Sequence, residues 1–111
     1  MKIAKYISDR QKELQKICES HNVETLYAFG SSISQRFNEE SSDIDLLVTI
    51  DIDDPVERGE HLMLLWEELE GLFNKKIDLL TPASLKNPVL KKSIDKTKIL
   101  IYDRRGQKVF V

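Results

Sequence analysis

The 111-residue chain holds a single cysteine, Cys18, with only three prolines and four glycines. One thiol forms no internal disulfide and supplies no thiolate metal cluster, which leaves Cys18 as a small apolar residue near a helix end. So little proline and glycine, with 41% hydrophobic and 32% charged residues, excludes collagen-like repeats and low complexity and argues against disorder. Long apolar runs are also missing: stretches such as Ile99 to Ile101 are far too short to span a bilayer. The opening residues, Met1 to Arg10, are interrupted by charge and lack the continuous apolar segment of a secretion signal, so a cytoplasmic protein is expected. There is no excess of positive charge either. With 17 basic and 19 acidic side chains the net charge is -2, which disfavours avid, sequence-blind nucleic-acid binding. The length predicts one domain over 1–111, burying roughly two-thirds of its unfolded surface.

What is present is periodic. Ile3, Ile7, Leu14, Ile17 and Cys18 recur near one face at helical spacing, predicting an amphipathic helix from Ile3 to about Ser20 that ends at His21-Asn22. Val23 to Phe29 is rich in β-branched and aromatic residues and stops at Gly30, as a strand would. Gly30-Ser31-Ser32 opens a short segment, Ile33 to Phe37, with room for one or two helical turns before a polar loop, Asn38 to Ser42. Asp43 to Ile50 alternates, with Ile44, Leu46, Val48 and Ile50 on one face and Asp43, Asp45, Leu47 and Thr49 on the other. An acidic turn, Asp51 to Asp54, leads to a helix started by Pro55 and carrying Leu62, Leu65, Trp66, Leu69 and Phe73 toward the core. Lys76 to Leu80 reads as a short strand, Pro88 to Lys96 as a short helix, and Lys98 to Tyr102 as a last strand. Asp103 to Val111 is either a tail or an edge hairpin. The expected class is α/β (α+β), a small mixed sheet with helices packed on it.

Chemistry concentrates on two features. Asp43 and Asp45 lie two positions apart in a strand, so both carboxylates leave one face about 7 Å apart. Like charges that close disfavour joint ionisation, and a hard divalent cation such as Mg²⁺ resolves the conflict while leaving positions for phosphates. Asp78 occupies the matching phase of the next strand and joins them if the strands pair. Three such carboxylates suit two metal ions on a phosphoryl centre. The second feature is Gly30-Ser31, where a strand ends in glycine and opens a helical turn, letting backbone N–H groups and a hydroxyl approach phosphate oxygens.

Taken together, FGSS (Phe29 to Ser32), SDIDLLV (Ser42 to Val48) and KIDLL (Lys76 to Leu80) resemble the nucleotidyltransferase superfamily typified by DNA polymerase β. More narrowly they resemble its minimal nucleotidyltransferases, the antitoxin-type partners of HEPN-domain proteins. The resemblance runs from the first helix to Asp103 and implies the polymerase β-like fold. It also implies that Gly30 and Ser31, with Ser32 beside them, contact nucleotide phosphates, and that Asp43, Asp45 and Asp78 hold Mg²⁺, with ATP or another nucleoside triphosphate as substrate. Two departures stand out: Gly30-Ser31-Ser32-Ile33-Ser34-Gln35 lacks the family's frequent second glycine, and the loop to Asp43 is one residue longer than the commonest spacing.

The expected activity is Mg²⁺-dependent transfer of a nucleoside monophosphate, AMP from ATP in the first instance, to a hydroxyl of a partner protein of the HEPN type. Two alternatives remain: a module that neutralises such a partner by contact alone, and a nucleotidyltransferase acting on a small molecule such as an antibiotic. His21 and His61 have no partner at metal spacing; one is expected to end a helix and the other to lie on a helix surface. Trp66 is expected in the core, and Arg104, Arg105 and Lys108 in a solvated terminus.

Overall fold

Alternation along the strand that carries Asp45 settles the layering. In the computed structural model, which describes residues 2–33, 43–106 and 108–109, strand β2 runs Ile44–Ile50 and β1 runs Val23–Phe29. Ile44, Leu46, Val48 and Ile50 join one hydrophobic cluster, while Leu47 joins another on the opposite side of the sheet. The remaining strands are β3 (Ile77–Leu80), β4 (Ile99–Asp103) and β5 (Lys108–Val109). The five strands lie in the order β3-β2-β1-β4-β5, with β2 and β3 parallel and the other neighbours antiparallel. The sheet is thus mixed, as the sequence predicts, and residues 108–109 form the edge hairpin rather than a tail.

Helices α1 (Lys2–Ser8), α2 (Gln11–Ser20) and α3 (Pro55–Phe73) cover the first face. Ile3, Ile7, Leu14, Cys18, Leu65, Leu69 and Phe73 are buried there against Leu26, Ala28, Leu46 and Ile77. Helix α4 (Pro88–Thr97) reaches the second face through Ile94, which packs with Phe29 and Leu47. Capping explains where the helices start. Asp54 accepts from the Glu57 N–H at 3.1 Å and Asn87 from Val89 N–H at 2.9 Å, each just before a proline whose missing N–H is no loss. Asn22 and Asn74 take the left-handed conformation, at φ 53° and 51°, where the chain leaves α2 and α3.

The helix expected over Ile3 to Ser20 is in fact two, broken at Asp9-Arg10. Arg10 falls on the stripe that Ile3, Ile7, Leu14 and Cys18 define, so an unbroken helix would press its guanidinium into the core. Instead Arg10 lies over the Tyr6 ring at 3.9 Å and donates to the Tyr6 and Leu72 carbonyls at 2.9 and 3.3 Å, closing the end of α3. Trp66 is the second correction. It is 38% exposed at the rim, held by an indole N–H donated to the Ile77 carbonyl at 2.7 Å. From residue 34 on, the turns expected to Phe37 and the loop Asn38 to Ser42 lie outside the described residues. No helix among the described residues is long and apolar enough to cross a membrane.

Candidate functional site

The last residues of β1 set up the site. Phe29 pairs with Asp45 across the antiparallel ladder, and the chain then turns through Gly30 into a single 3₁₀ turn, Gly30–Ile33. Gly30 has φ +65°, a conformation that L residues with a side chain rarely adopt. It is also crowded: a Cβ at this position would stand 2.7 Å from Asp45 Oδ2. Both constraints demand glycine. Their joint effect is to press bare backbone against a carboxylate, with no side chain between the start of the turn and the acid.

Asp45 faces two strands at once, paired with Phe29 on β1 and with Asp78 on β3. Residues in register on neighbouring strands project to the same side, with backbones about 4.8 Å apart. The structure therefore brings Asp45, half-buried, and Asp78, exposed, together as lateral neighbours. Asp43 is exposed and lies one residue before β2 begins, in the same phase as Asp45. The three carboxylates share a face rather than a common point. Among the described residues, no group of three or more His, Cys, Asp and Glu side chains is gathered closely enough to hold a metal ion. The donor chemistry nonetheless fits a hard cation, being all carboxylate oxygen, and glycine at position 30 keeps a side chain off Asp45 Oδ2.

Apolar residues frame these acids. Phe29, Leu47 and Ile94 are buried around them, with Tyr27, Leu80 and Leu85 packed alongside. The odd-numbered phase of β2, shared by Asp45 and Leu47, is the signal for this lining in the sequence. Lys98 holds its ammonium 4.4 Å from the Tyr27 ring centroid while pairing with Asp95 at 3.0 Å, and the ring contact was not singled out by the pattern because it is set by tertiary packing.

The histidines end up elsewhere and together. His21, buried just after α2, places Nδ1 2.9 Å from Nδ1 of His61 on α3, and its Nε2 meets the carboxylate of Glu68. His21 ends a helix and His61 lies on α3, as expected, and α3 packing against α2 brings the two rings together. This cluster lies at the opposite end of β1 from Gly30. Arg104 and Arg105 are exposed, as expected, and pair with Asp51 at 2.9 Å and Asp103 at 3.1 Å. Cys18 is buried, as expected, and burial, with Glu19 adding to it, pushes its thiol up to about 12.

Comparison with known proteins identifies the family. Residues 12–107 match the family described as "Polymerase beta, Nucleotidyltransferase". A protein of Methanocaldococcus jannaschii named "Putative protein adenylyltransferase MJ1379" is 35% identical over 97 residues, covering 87% of this chain and 93% of that protein. A second from the same organism, "Putative protein adenylyltransferase MJ1217", is 36% identical over 97 residues, covering 87% and 93%. Among solved structures, a "putative minimal nucleotidyltransferase" shares the fold with TM-score 0.60 at 23% identity, over 89% of this chain and 95% of that one. A toxin-antitoxin structure with AMP-PNP gives TM-score 0.57 at 22% identity, over 86% and 76%. A tri-AMPylated HEPN toxin in complex with an MNT antitoxin, from Shewanella oneidensis, gives 0.51 at 19% identity, over 86% and 71%. The chain is a nucleotidyltransferase and belongs to the polymerase beta nucleotidyltransferase family.

Proposed function

We propose that the chain is an adenylyltransferase that uses ATP and Mg²⁺ to place AMP on a hydroxyl of a partner protein of the HEPN type. The observation that carries this reading is the contact between Gly30 and Asp45, which puts bare backbone against a carboxylate with an acid on the adjoining strand. Gly30, Ser31 and Ser32 are assigned the nucleotide phosphates, and Asp43, Asp45 and Asp78 the divalent cations. When bound, the metal neutralises phosphate charge and lowers the barrier to attack on phosphorus. The chain's own contribution is positioning. The ladder fixes Asp45 and Asp78 side by side, the Gly30 turn holds the phosphates against them, and Phe29 and Leu47 give that face a low-dielectric floor. In the transfer, a bond forms between the acceptor oxygen and the α-phosphorus as the bond to the β-phosphate bridge breaks. Pyrophosphate leaves, and the acceptor proton passes to solvent.

A protein acceptor is favoured over a small metabolite because the acidic face is open. Asp43 and Asp78 are exposed, and selective recognition of a metabolite needs convergent, enclosing contacts. A partner protein brings its own surface as the missing wall. The relatives named as protein adenylyltransferases and the AMPylated toxin complex point the same way.

The test is to incubate the chain with Mg²⁺, ATP and its HEPN-type partner and to weigh the partner intact. The expected result is a gain of one or more AMP units that disappears with Asp45→Asn. Tight binding with no mass change would instead support neutralisation by contact alone.

A further inference from the structure

In phosphoryl transfer the attacking and leaving oxygens lie roughly in line, on opposite sides of the phosphorus. Gly30 follows Phe29 on β1, so phosphates held at its turn lie on the β1 side of Asp45, and pyrophosphate leaves on that side. The acceptor oxygen then arrives from the other side, where β3 carries Asp78. That side is open. β3 is an edge strand of the sheet, and Asp43 and Asp78 are exposed. A hollow of about 470 Å³, bounded by Glu70, Asn74, Lys75 and Lys76, lies where α3 leads into β3.

A cation stands at this edge. The Ile44 N–H donates to the Lys76 carbonyl at 3.1 Å, which carries the parallel ladder one residue back from the pair Ile44 and Ile77. Lys76 is therefore the lateral neighbour of Asp43, with backbones about 4.8 Å apart, and shares the phase of Asp78 two residues on. Ile77, between them, is buried on the opposite face of the sheet. Lys75 also points away, holding its ammonium 5.6 Å from the Tyr6 ring centroid on the helical side. Lys76 is exposed, and its side chain has no ion pair or hydrogen bond among the described residues, the neighbouring acids included. A lysine kept only to neutralise Asp43 or Asp78 would pair with one of them, whereas this ammonium is available to a group that arrives with the acceptor.

We propose that Lys76 is a catalytic residue of the transfer, its ammonium receiving the acceptor hydroxyl on the β3 side of the acids. On the nucleotide reading, which this inference assumes, Lys76 donates a hydrogen bond to the acceptor oxygen and holds it in line with the bond that breaks. The same ammonium offsets the negative charge left on that oxygen as its proton passes to solvent. The oxygen bonds to the α-phosphorus, the bond to the β-phosphate bridge breaks, and pyrophosphate departs on the Gly30 side. An ammonium on a flexible four-carbon stem suits this position, because it can follow an acceptor carried by a separate protein.

The test compares the wild-type chain with Lys76→Met, Lys76→Arg and Lys75→Met. Rates of AMP transfer to the HEPN-type partner are read by intact mass at varied ATP and partner, and Mg²⁺-dependent ATP binding is read by calorimetry without partner. Lys76→Met is expected to lower kcat about tenfold or more while ATP affinity and the KM for partner stay within about twofold. Lys76→Arg, which keeps the charge, recovers most of the rate, and Lys75→Met matches the wild type. An undiminished rate in Lys76→Met would overturn the proposal. So would a loss of ATP affinity that accounts for the lost rate, since Lys76 would then serve the nucleotide, or a raised KM for partner at unchanged kcat, since it would then be a docking contact only. Those outcomes leave the nucleotide reading standing. Absence of ATP binding or of transfer in the wild type itself would instead remove that reading, and this inference with it.

Discussion

Gly30 and Asp45 stand so close that a Cβ at position 30 would lie 2.7 Å from Asp45 Oδ2. A residue of the turn after β1 and a residue of β2 are thereby made interdependent: the acid keeps its place only while position 30 has no side chain.

Gly30→Ala is expected to lose stability on two counts. A left-handed φ costs a residue with a side chain roughly 1–2 kcal/mol, and the new Cβ must displace the Asp45 carboxylate. Urea unfolding should show a loss of about 2 kcal/mol or more. For nucleotide binding, Gly30→Val should be more damaging than Ser31→Ala, because the branched side chain obstructs the phosphates whereas the alanine removes one hydrogen bond worth about 1 kcal/mol. Equal ATP binding by Gly30→Val and the wild type would place the cradle elsewhere.

Asp78→Asn should separate stability from function. Asp45 and Asp78 are in register on adjacent strands, and like charges so placed are destabilising. With a chelator present, thermal melting should find the variant as stable as the wild type or more so, by about 0.2–1 kcal/mol. Mg²⁺-dependent ATP binding should weaken in the same variant. Lower stability in chelator would mean that the pair is not repulsive.

Alkaline stability should be governed by the core. The Cys18 thiol ionises near 9.0 when unfolded and at about 12 in the fold. Between those values the unfolded chain has released a proton that the folded chain retains, so rising pH favours unfolding. Stability from this group is intact below pH 9 and falls toward pH 12, by on the order of 4 kcal/mol. Tyr102, raised in the same direction by burial and then by Cys18 and Glu19, steepens the fall. Urea midpoints measured against pH should flatten in Cys18→Ala, at the expense of a small cavity.

Tyr102 itself offers a simpler check. Its hydroxyl is buried without a hydrogen-bond partner among the described residues. Because an unsatisfied buried hydroxyl costs about 1–3 kcal/mol, Tyr102→Phe should be neutral or stabilising in urea unfolding. A loss above about 1 kcal/mol would reveal a partner for the hydroxyl.

How much of this was legible in the sequence depended on range. The two faces of β2 followed from alternation alone, whereas Gly30 was read only as a strand end open to phosphate, and its closeness to Asp45 came with the fold. Asp78 was placed correctly because Ile77 and Leu79 fixed its phase, although only the parallel register showed that Asp45 is its neighbour. The break at Asp9-Arg10 was invisible, since it depends on the Leu72 carbonyl far along the chain. The meeting of His21, His61 and Glu68 was invisible for the same reason. Trp66 satisfied helical spacing, but the pattern could not show that the Ile77 carbonyl would hold its indole at the rim.

The central claim is that Asp43 and Asp45, beside the Gly30 turn, form a metal-dependent nucleotide site. Titration calorimetry with Mg²⁺ and ATP on the wild type and on the Asp43→Asn, Asp45→Asn double variant tests it most directly. Asparagine keeps size and polarity while removing charge, so the variant should melt within a few degrees of the wild type and show no Mg²⁺-dependent ATP binding. Undiminished Mg²⁺-dependent binding in the folded double variant would contradict the account.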